Sequence, residues 1–298
     1  MNPIRPRARF LMCRPVHFAV NYAINPWMDP QSWATDARVH AATSRQEWTA
    51  LSRRLTDLGA AIELVPPASD VPDLVFTANA AVVLDRQVLL ARFRHPERQR
   101  EEPHFEAAFR PLQARGVVDA VRKLPPDLVL EGAGDCVWDR ARNLFWMGYG
   151  PRSDAAARPA VEETFGQEVI PLELADQRFY HMDTALCPLP RGEILYVPEA
   201  FTAAGRGMIR HRVTAAQRID VETEDASRLA ANAVCLGNTL VMSGCGARLR
   251  GQLEERGYQV VTTPLGSFLR SGGAAFCLTL RLDLRSLSGQ ATGHAAAA

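Results

Sequence analysis

Lysine is almost absent. Lys123 is the only one in 298 residues, so nearly all of the 34 Lys+Arg side chains are arginine. Schiff-base and phosphate-loop chemistry would both fall on Lys123, in RKLPP, a context that suits neither. Charge of one sign is also lacking: 34 basic residues face 33 acidic ones, a formal net charge of +1. That balance argues against a nucleic-acid partner, which calls for a basic excess or stripe. No apolar stretch reaches membrane-spanning length, so no membrane partner is expected. MNPIRPRARFLMCRP is basic, but Arg14 and Pro15 cut its apolar run, which argues against a secretory signal. The six cysteines, Cys13, Cys136, Cys187, Cys235, Cys245 and Cys277, form no CxxC pair and no zinc-ligand spacing. Reduced thiols in a cytoplasmic protein, with no metal, are the expectation. GxGxxG, GxSxG and HExxH are missing too; EGAGD and SGCGAR pair their glycines without completing a dinucleotide fingerprint.

What is present is a repeat. Five segments read as strands ending near proline or an acidic turn: AAIELVPP (60–67), GVVDAVRKLPP (116–126), GQEVIPLEL (166–174), AQRIDVETED (216–225) and GYQVVTTPL (257–265). The first four run on into hairpins, at 74–93, 128–150, 178–201 and 232–244, with turns at Asp85-Arg86, Asp139-Arg140, Pro190 to Gly192 and Gly237-Asn238. Helix-compatible stretches with apolar positions three and four apart, such as 101–115 and 246–256, separate the units. GGAAFCLTLRLD (272–283) reads as a last strand without a hairpin, which ARFLMCRP (8–15) is placed to pair with, closing a ring. The fold class is therefore α/β, with five ββαβ units around a pseudo-fivefold axis. One domain over 1–285 and a disordered tail over 286–298 follow, the tail being small and polar.

Unusual polar residues recur at equivalent places in these units: Asn79 in FTAN, Glu131 and Asp135 in EGAGD, His181 and Asp183 in HMD, and Cys277 in GGAAFC. A ring brings such positions together at one end of its axis. Read as strand, Glu131 and Asp135 share a face, as do His181 and Asp183, and that face should be apolar. Singly each has a bland reading. A lone histidine or cysteine is usually structural, Asp135 ties down its glycine turn, and Asn79 suits an Asx turn. The cluster 92–102 reads as a charge-mixed solvated loop in which an arginine can grip a carboxylate. Together they suggest chemistry. A thiolate favoured by a nearby His⁺ is a soft nucleophile, the same histidine protonates a leaving amine, and several carboxylates attract a cation. A guanidinium fits, being planar, always charged and matched to carboxylates.

FTAN, EGAGD, HMDT and GGAAFCLTL, in this order, resemble the guanidino-group-modifying superfamily. It includes arginine deiminases, dimethylarginine dimethylaminohydrolases and amidinotransferases, and has a five-bladed α/β-propeller (pentein) fold. The resemblance spans residues 8–283. INPWM (24–28), PDLVFTANA (72–80) and RHPERQREEPHF (94–105) look closest to the arginine dihydrolase branch, which converts arginine to ornithine, ammonia and carbon dioxide. The resemblance implies Cys277 as nucleophile, His181 as general acid/base, and Glu131 as the group that holds the guanidinium and orients His181. Asp183 would bind the far guanidinium nitrogens. Asn25, Asn79 and Arg98 match pocket positions, Arg98 meeting the α-carboxylate. Asp135 follows Glu131 by four residues where deiminases have EGGD, so its substrate-binding role is open. Deiminases carry aspartate at the place of Asn79; an amide adds an N–H donor for a ureido oxygen, which would let citrulline stay and be hydrolysed again. No cofactor is implied, the partner is arginine or a related guanidine, and a homo-oligomer is compatible with the sequence.

Three other readings share this pattern. A deiminase or dimethylarginine dimethylaminohydrolase would stop at citrulline, and an amidinotransferase would pass the adduct to an amine. A ribosome-binding factor of the same propeller architecture would not need Cys277 with His181.

Overall fold

A computed structural model describes residues 8–287. Their strands form five three-stranded sheets, each with the same plan. Two strands pair antiparallel and the second takes a parallel partner on its far side. β3 (Ala81–Leu84), β4 (Gln87–Leu90) and β5 (Ala120–Lys123) make one sheet, and β6 (Cys136–Asp139), β7 (Leu144–Tyr149) and β8 (Glu168–Glu173) the next. β9 (Leu186–Pro188), β10 (Ile194–Tyr196) and β11 (Arg218–Asp220) follow, then β12 (Val234–Leu236), β13 (Thr239–Met242) and β14 (Gln259–Thr262). The fifth sheet joins distant parts of the chain. β1 (Arg9–Cys13) pairs antiparallel with β15 (Leu280–Arg281), Leu11 opposite Leu280, and parallel with β2 (Ala61–Val65). All five strands expected between 60 and 265 are the parallel outer members, and 8–15 does pair with the last strand.

Local chemistry accounts for the hairpins. Asp85 and Arg86 both hold positive φ, 51° and 65°, the mirror-image two-residue turn whose twist matches the flanking strands. Gly237 and Gly192 supply left-handed backbone in two others. The second hairpin differs from expectation. Its turn spans residues 140–143, with Asn143 at φ 55°, so Asp139 stays in β6 and is buried. Asparagine tolerates that region better than the residues before it.

Helices Glu102–Ala114 and Ala247–Glu255 fall where the spacing puts them. Ala37–Asp57, of 21 residues, buries Trp48, Leu51 and Leu55, one apolar face at three- and four-residue steps. Among the described residues no helix is long and apolar enough to cross a membrane. In the largest core cluster Phe18 and Phe268 stack with centroids 4.9 Å apart, and Phe76 meets both edge-on.

The last segment is not the long strand expected. Only Leu280 and Arg281 are extended; residues 274–279 wind as a tight turn, Leu278 N–H donating to Ala274 at 3.2 Å. The two glycines before it explain this. Gly272 has φ +78°, and a Cβ on Gly273 would stand 2.5 Å from the Phe76 ring. The turn can therefore seat against Phe76 only with glycine there. The tail expected over 286–298 lies outside the described residues from 288 on. Ser286 and Leu287 are described; their N–H groups donate to Asp85 and Asn143.

Candidate active site

Asn79, Glu131, Asp135, His181, Asp183 and Cys277 each lie on a short turn immediately before the first strand of a sheet, whereas Arg98 is in the short helix Pro96–Gln99 and Asn25 in the loop ahead of Pro30–Thr35. Asn79 is in the turn Thr77–Ala80 ahead of β3, and Glu131 and Asp135 flank Gly132–Gly134 ahead of β6. His181 precedes and Asp183 lies within Met182–Ala185 ahead of β9, and Cys277 is in the turn ahead of β15. Alternation along a strand is therefore not what aligns them, contrary to expectation. Gly132, at φ +64°, breaks the extended run of LVLEGAGD, and helical turns then point the side chains inward. Gly134 matters for contact: a Cβ there would meet Asn79 Nδ2 at 2.2 Å and lie 3.5 Å from His181 Nδ1. The glycine lets those two side chains approach the same spot.

All of these side chains are buried. His181 Nε2 lies 2.7 Å from Glu131 Oε2, which also accepts from Arg152 Nη1 at 3.1 Å. The other oxygen of Glu131 accepts from the Arg94 N–H at 3.1 Å. Burial works against this carboxylate's charge, but Arg152 and His181 outweigh it and hold its pKa below the usual carboxylate range. Burial dominates at His181, whose pKa falls to about 4 despite Glu131. The imidazole is thus neutral at physiological pH, and the expected His⁺ beside the thiol is not the resting state. Cys277 Sγ donates to Asp183 Oδ2 at 3.1 Å. Burial, then the charge of Asp183, raises the thiol well above its ordinary pKa, and burial raises Asp183 to about 7.

The remaining expected residues divide. Asn79 donates through Nδ2 to the Glu131 carbonyl at 3.0 Å and accepts from Arg98 Nη1 at 2.9 Å. Asn25 is held in place by Ser271 O and the Trp27 N–H. Arg98 is not in a solvated loop: it is 3% exposed and makes two 2.8 Å bonds to Glu101. Burial opposes its charge and Glu101 more than restores it. Asp135 belongs to the supporting knot, accepting from Ser153 Oγ at 2.6 Å and the Met182 N–H at 3.0 Å, so it fixes the turn that carries His181.

One narrow cavity takes in Asn25, Asn79, Arg98 and Cys277 of the expected set. It also takes in Asp73, Arg152 and Tyr180, which the sequence reading missed. Arg152 is 2% exposed, with its guanidinium 4.6 Å over the Tyr180 ring. Asp73 accepts from the Tyr22 hydroxyl at 2.7 Å through one oxygen. Its other oxygen, with Asp183 Oδ1 and Ser271 Oγ, is buried without a partner among the described residues. Unsatisfied acceptors of this kind are uncommon and need a donor from somewhere. Also missed was Asn232, ahead of β12, which bonds to Cys277. Among the described residues no group of three or more His, Cys, Asp or Glu is arranged to hold a metal ion.

An α/β chain of five like sheets whose turns carry a buried Cys–Asp pair and a buried His–Glu pair is a member of the pentein superfamily. The family model described as "N,N dimethylarginine dimethylhydrolase, eukaryotic" matches residues 14–284, and the chain belongs to that family. It is 43% identical over 277 residues to the bifunctional arginine dihydrolase/ornithine cyclodeaminase ArgZ of Synechocystis sp., covering 92% of this chain and 37% of that protein. The chain thus spans well under half the length of this bifunctional relative. It is 34% identical to the N(G),N(G)-dimethylarginine dimethylaminohydrolase of Mycobacterium tuberculosis, covering 93% of this chain and 87% of that one. Among solved structures, the N-terminal domain of ArgZ covalently bound to a reaction intermediate superposes with a TM-score of 0.86 at 41% identity, covering 93% of this chain and 98% of that one.

Proposed function

We propose that this chain is a cysteine-dependent hydrolase of L-arginine, yielding ornithine, two ammonia and carbon dioxide at the expense of two waters. The observation that carries it is Cys277 Sγ, 3.1 Å from a buried Asp183 whose other oxygen has no partner among the described residues. A thiol beside an open carboxylate, with a carboxylate-backed imidazole on the same set of turns, suits a planar cation with several N–H groups. The covalent intermediate on the ArgZ domain supports the same chemistry.

The resting site is neutral at its reacting pair, so the substrate supplies the missing charge. A guanidinium entering against Asp183 stabilises the thiolate, and the proton of Cys277 passes to His181, whose imidazolium Glu131 holds. Sγ adds to the guanidinium carbon. His181 returns the proton to the leaving nitrogen, ammonia departs, and a thiouronium adduct remains. Water, losing its proton to His181, adds to that carbon and expels the thiolate, giving citrulline. A second round on the ureido carbon releases the second ammonia and leaves a carbamoyl group on Sγ; water attacks it, freeing carbon dioxide and ornithine. Arg98 and Arg152 line the cavity and are the cations offered to the α-carboxylate, with Asn25 in the same lining.

Asn79 is the residue we assign to the second round. One of its two amide N–H groups is spent on the Glu131 carbonyl; the other is available to a ureido oxygen. Asn79→Asp replaces that donor with acceptors, and citrulline should then accumulate. An unchanged ornithine-to-citrulline ratio would sink this assignment. The principal test is product stoichiometry with L-arginine, using Cys277→Ser as control. Ornithine with two ammonia is expected, and the control should lose essentially all turnover; citrulline with one ammonia would make the chain a deiminase. Hydrolysis of methylated arginine is the second reading, favoured by the family model and the mycobacterial relative, and would be recognised by release of a methylamine.

The five copies of one strand order support the finer reading of a five-bladed propeller around a pseudo-fivefold axis. A single catalytic domain over 1–285 fits the pairing of β1 with β15. Six free thiols favour the cytoplasm.

A further inference from the structure

Asn232 has no exposed surface, and its whole amide is engaged around the cysteine. Oδ1 accepts from the backbone N–H groups of Ala274 at 3.2 Å and Cys277 at 3.1 Å. Nδ2 donates to the Asp183 carbonyl at 3.1 Å and to Cys277 Sγ at 3.0 Å. These partners fix the sense of the amide. Turned over, it would set its NH₂ against two N–H groups and its oxygen against a carbonyl. The sulfur therefore faces an N–H because the backbone leaves no alternative. The turn beneath is strained in support: Leu229, fully buried, holds φ 51°, and its carbonyl accepts from the Asn232 N–H at 2.9 Å.

The other groups facing the sulfur act differently. Asp183 accepts a hydrogen bond from the thiol, and Asp73, Arg98, Arg152 and Tyr180 line the same cavity. Burial and Asp183 both favour the thiol; the hydrogen bonds from the Ala274 backbone and from Asn232 favour the thiolate. The Ala274 N–H is itself held by Asn232.

We propose that Asn232 is a positioning residue for the nucleophile, clamping the 274–277 turn with its oxygen and presenting a donor to the Cys277 thiolate with its nitrogen. This rests on Cys277 being the nucleophile, and not on arginine being the substrate.

The test is the rate of Cys277 alkylation by iodoacetamide against pH, followed by peptide mass spectrometry in wild type, Asn232→Asp and Asn232→Ala. Asn232→Asp keeps an acceptor for both backbone N–H groups but sets a carboxylate oxygen against the sulfur. Its midpoint should rise by a pH unit or more, and labelling at neutral pH should fall about tenfold or more. Asn232→Ala adds no buried charge and should shift the midpoint the same way by less. If arginine is turned over, kcat/KM of both variants should recover toward alkaline pH, which a merely structural lesion would not produce. A folded variant that labels with the wild-type midpoint overturns the proposal. Failure of both variants to fold would assign Asn232 to folding instead, and likewise overturn it. A wild type that labels as expected yet ignores arginine would refute the substrate and leave Asn232 in place.

Discussion

Asp139, at the end of β6, and Asp183, just ahead of β9, are both buried, yet their surroundings are opposite. Asp139, at the hairpin-turn end of β6, is completed by its own chain. Oδ1 accepts from the Arg142 N–H at 3.1 Å, and Oδ2 from Arg142 Nη1 at 2.8 Å and Trp146 Nε1 at 2.9 Å. Asp183, in the turn ahead of β9, has a thiol on one oxygen and no partner among the described residues on the other. Burial of a carboxylate is therefore no guide to function in this molecule. The acceptor left over is the guide, because an unanswered buried oxygen is tolerated only where something else arrives to answer it.

Substitution should separate the two acids along different axes. Asp183→Asn removes the anion proposed to meet the guanidinium, and kcat/KM for arginine should fall about ten- to a hundredfold, the worth of a charge-assisted hydrogen bond. Thermal stability should hold or rise, since the fold disfavours that charge. Comparable losses of activity and melting temperature would mean that Asp183 is structural like Asp139. Asp139→Ala should do the reverse, costing about 3 kcal/mol of stability by stranding Arg142 and Trp146, with activity per folded molecule intact. A chemical melt beside an initial-rate assay checks both. The smaller effect is on pH. Pairing with a cation needs ionised Asp183, so kcat/KM should drop as pH falls below about 7, and Asp183→Asn should remove that limb. In the free protein the sign for stability is opposite. A raised carboxyl pKa contributes stability fully present below the unfolded value, lost as pH rises toward 7. His181, lowered to about 4, adds a loss as pH falls from about 6.5 through 4.

Much of this architecture was legible because it is local. Hairpin turns announce themselves in two residues, as Asp85-Arg86 and Gly237-Asn238 do, and strand and helix periods need only a short window. The turns bearing the site were misread as strand because LVLEGAGDCVWD is apolar and continuous, and nothing but Gly132 marks the break. Arg98 looked solvated in RHPERQREE, although Glu101, three residues on, is one helical step away and buries it with itself. Asp73, Arg152 and Asn232 had no such marker. Each acts on residues far along the chain, Asn232 on Cys277 across 45 positions, and only the assembled fold makes that contact.

The sheet that joins β15 to β1 also sets an order in time. The other four sheets are made from stretches that leave the ribosome in succession, so each can form soon after its own strands are complete. The fifth waits on partners as remote as Arg9 and Asp283, 274 positions apart, a closure of the slowest kind. Cys277 lies just ahead of β15. A chain still being made can bring Glu131, His181 and Asp183 together before Cys277 is in place, so on the proposed reading the site is completed only once β15 has joined β1.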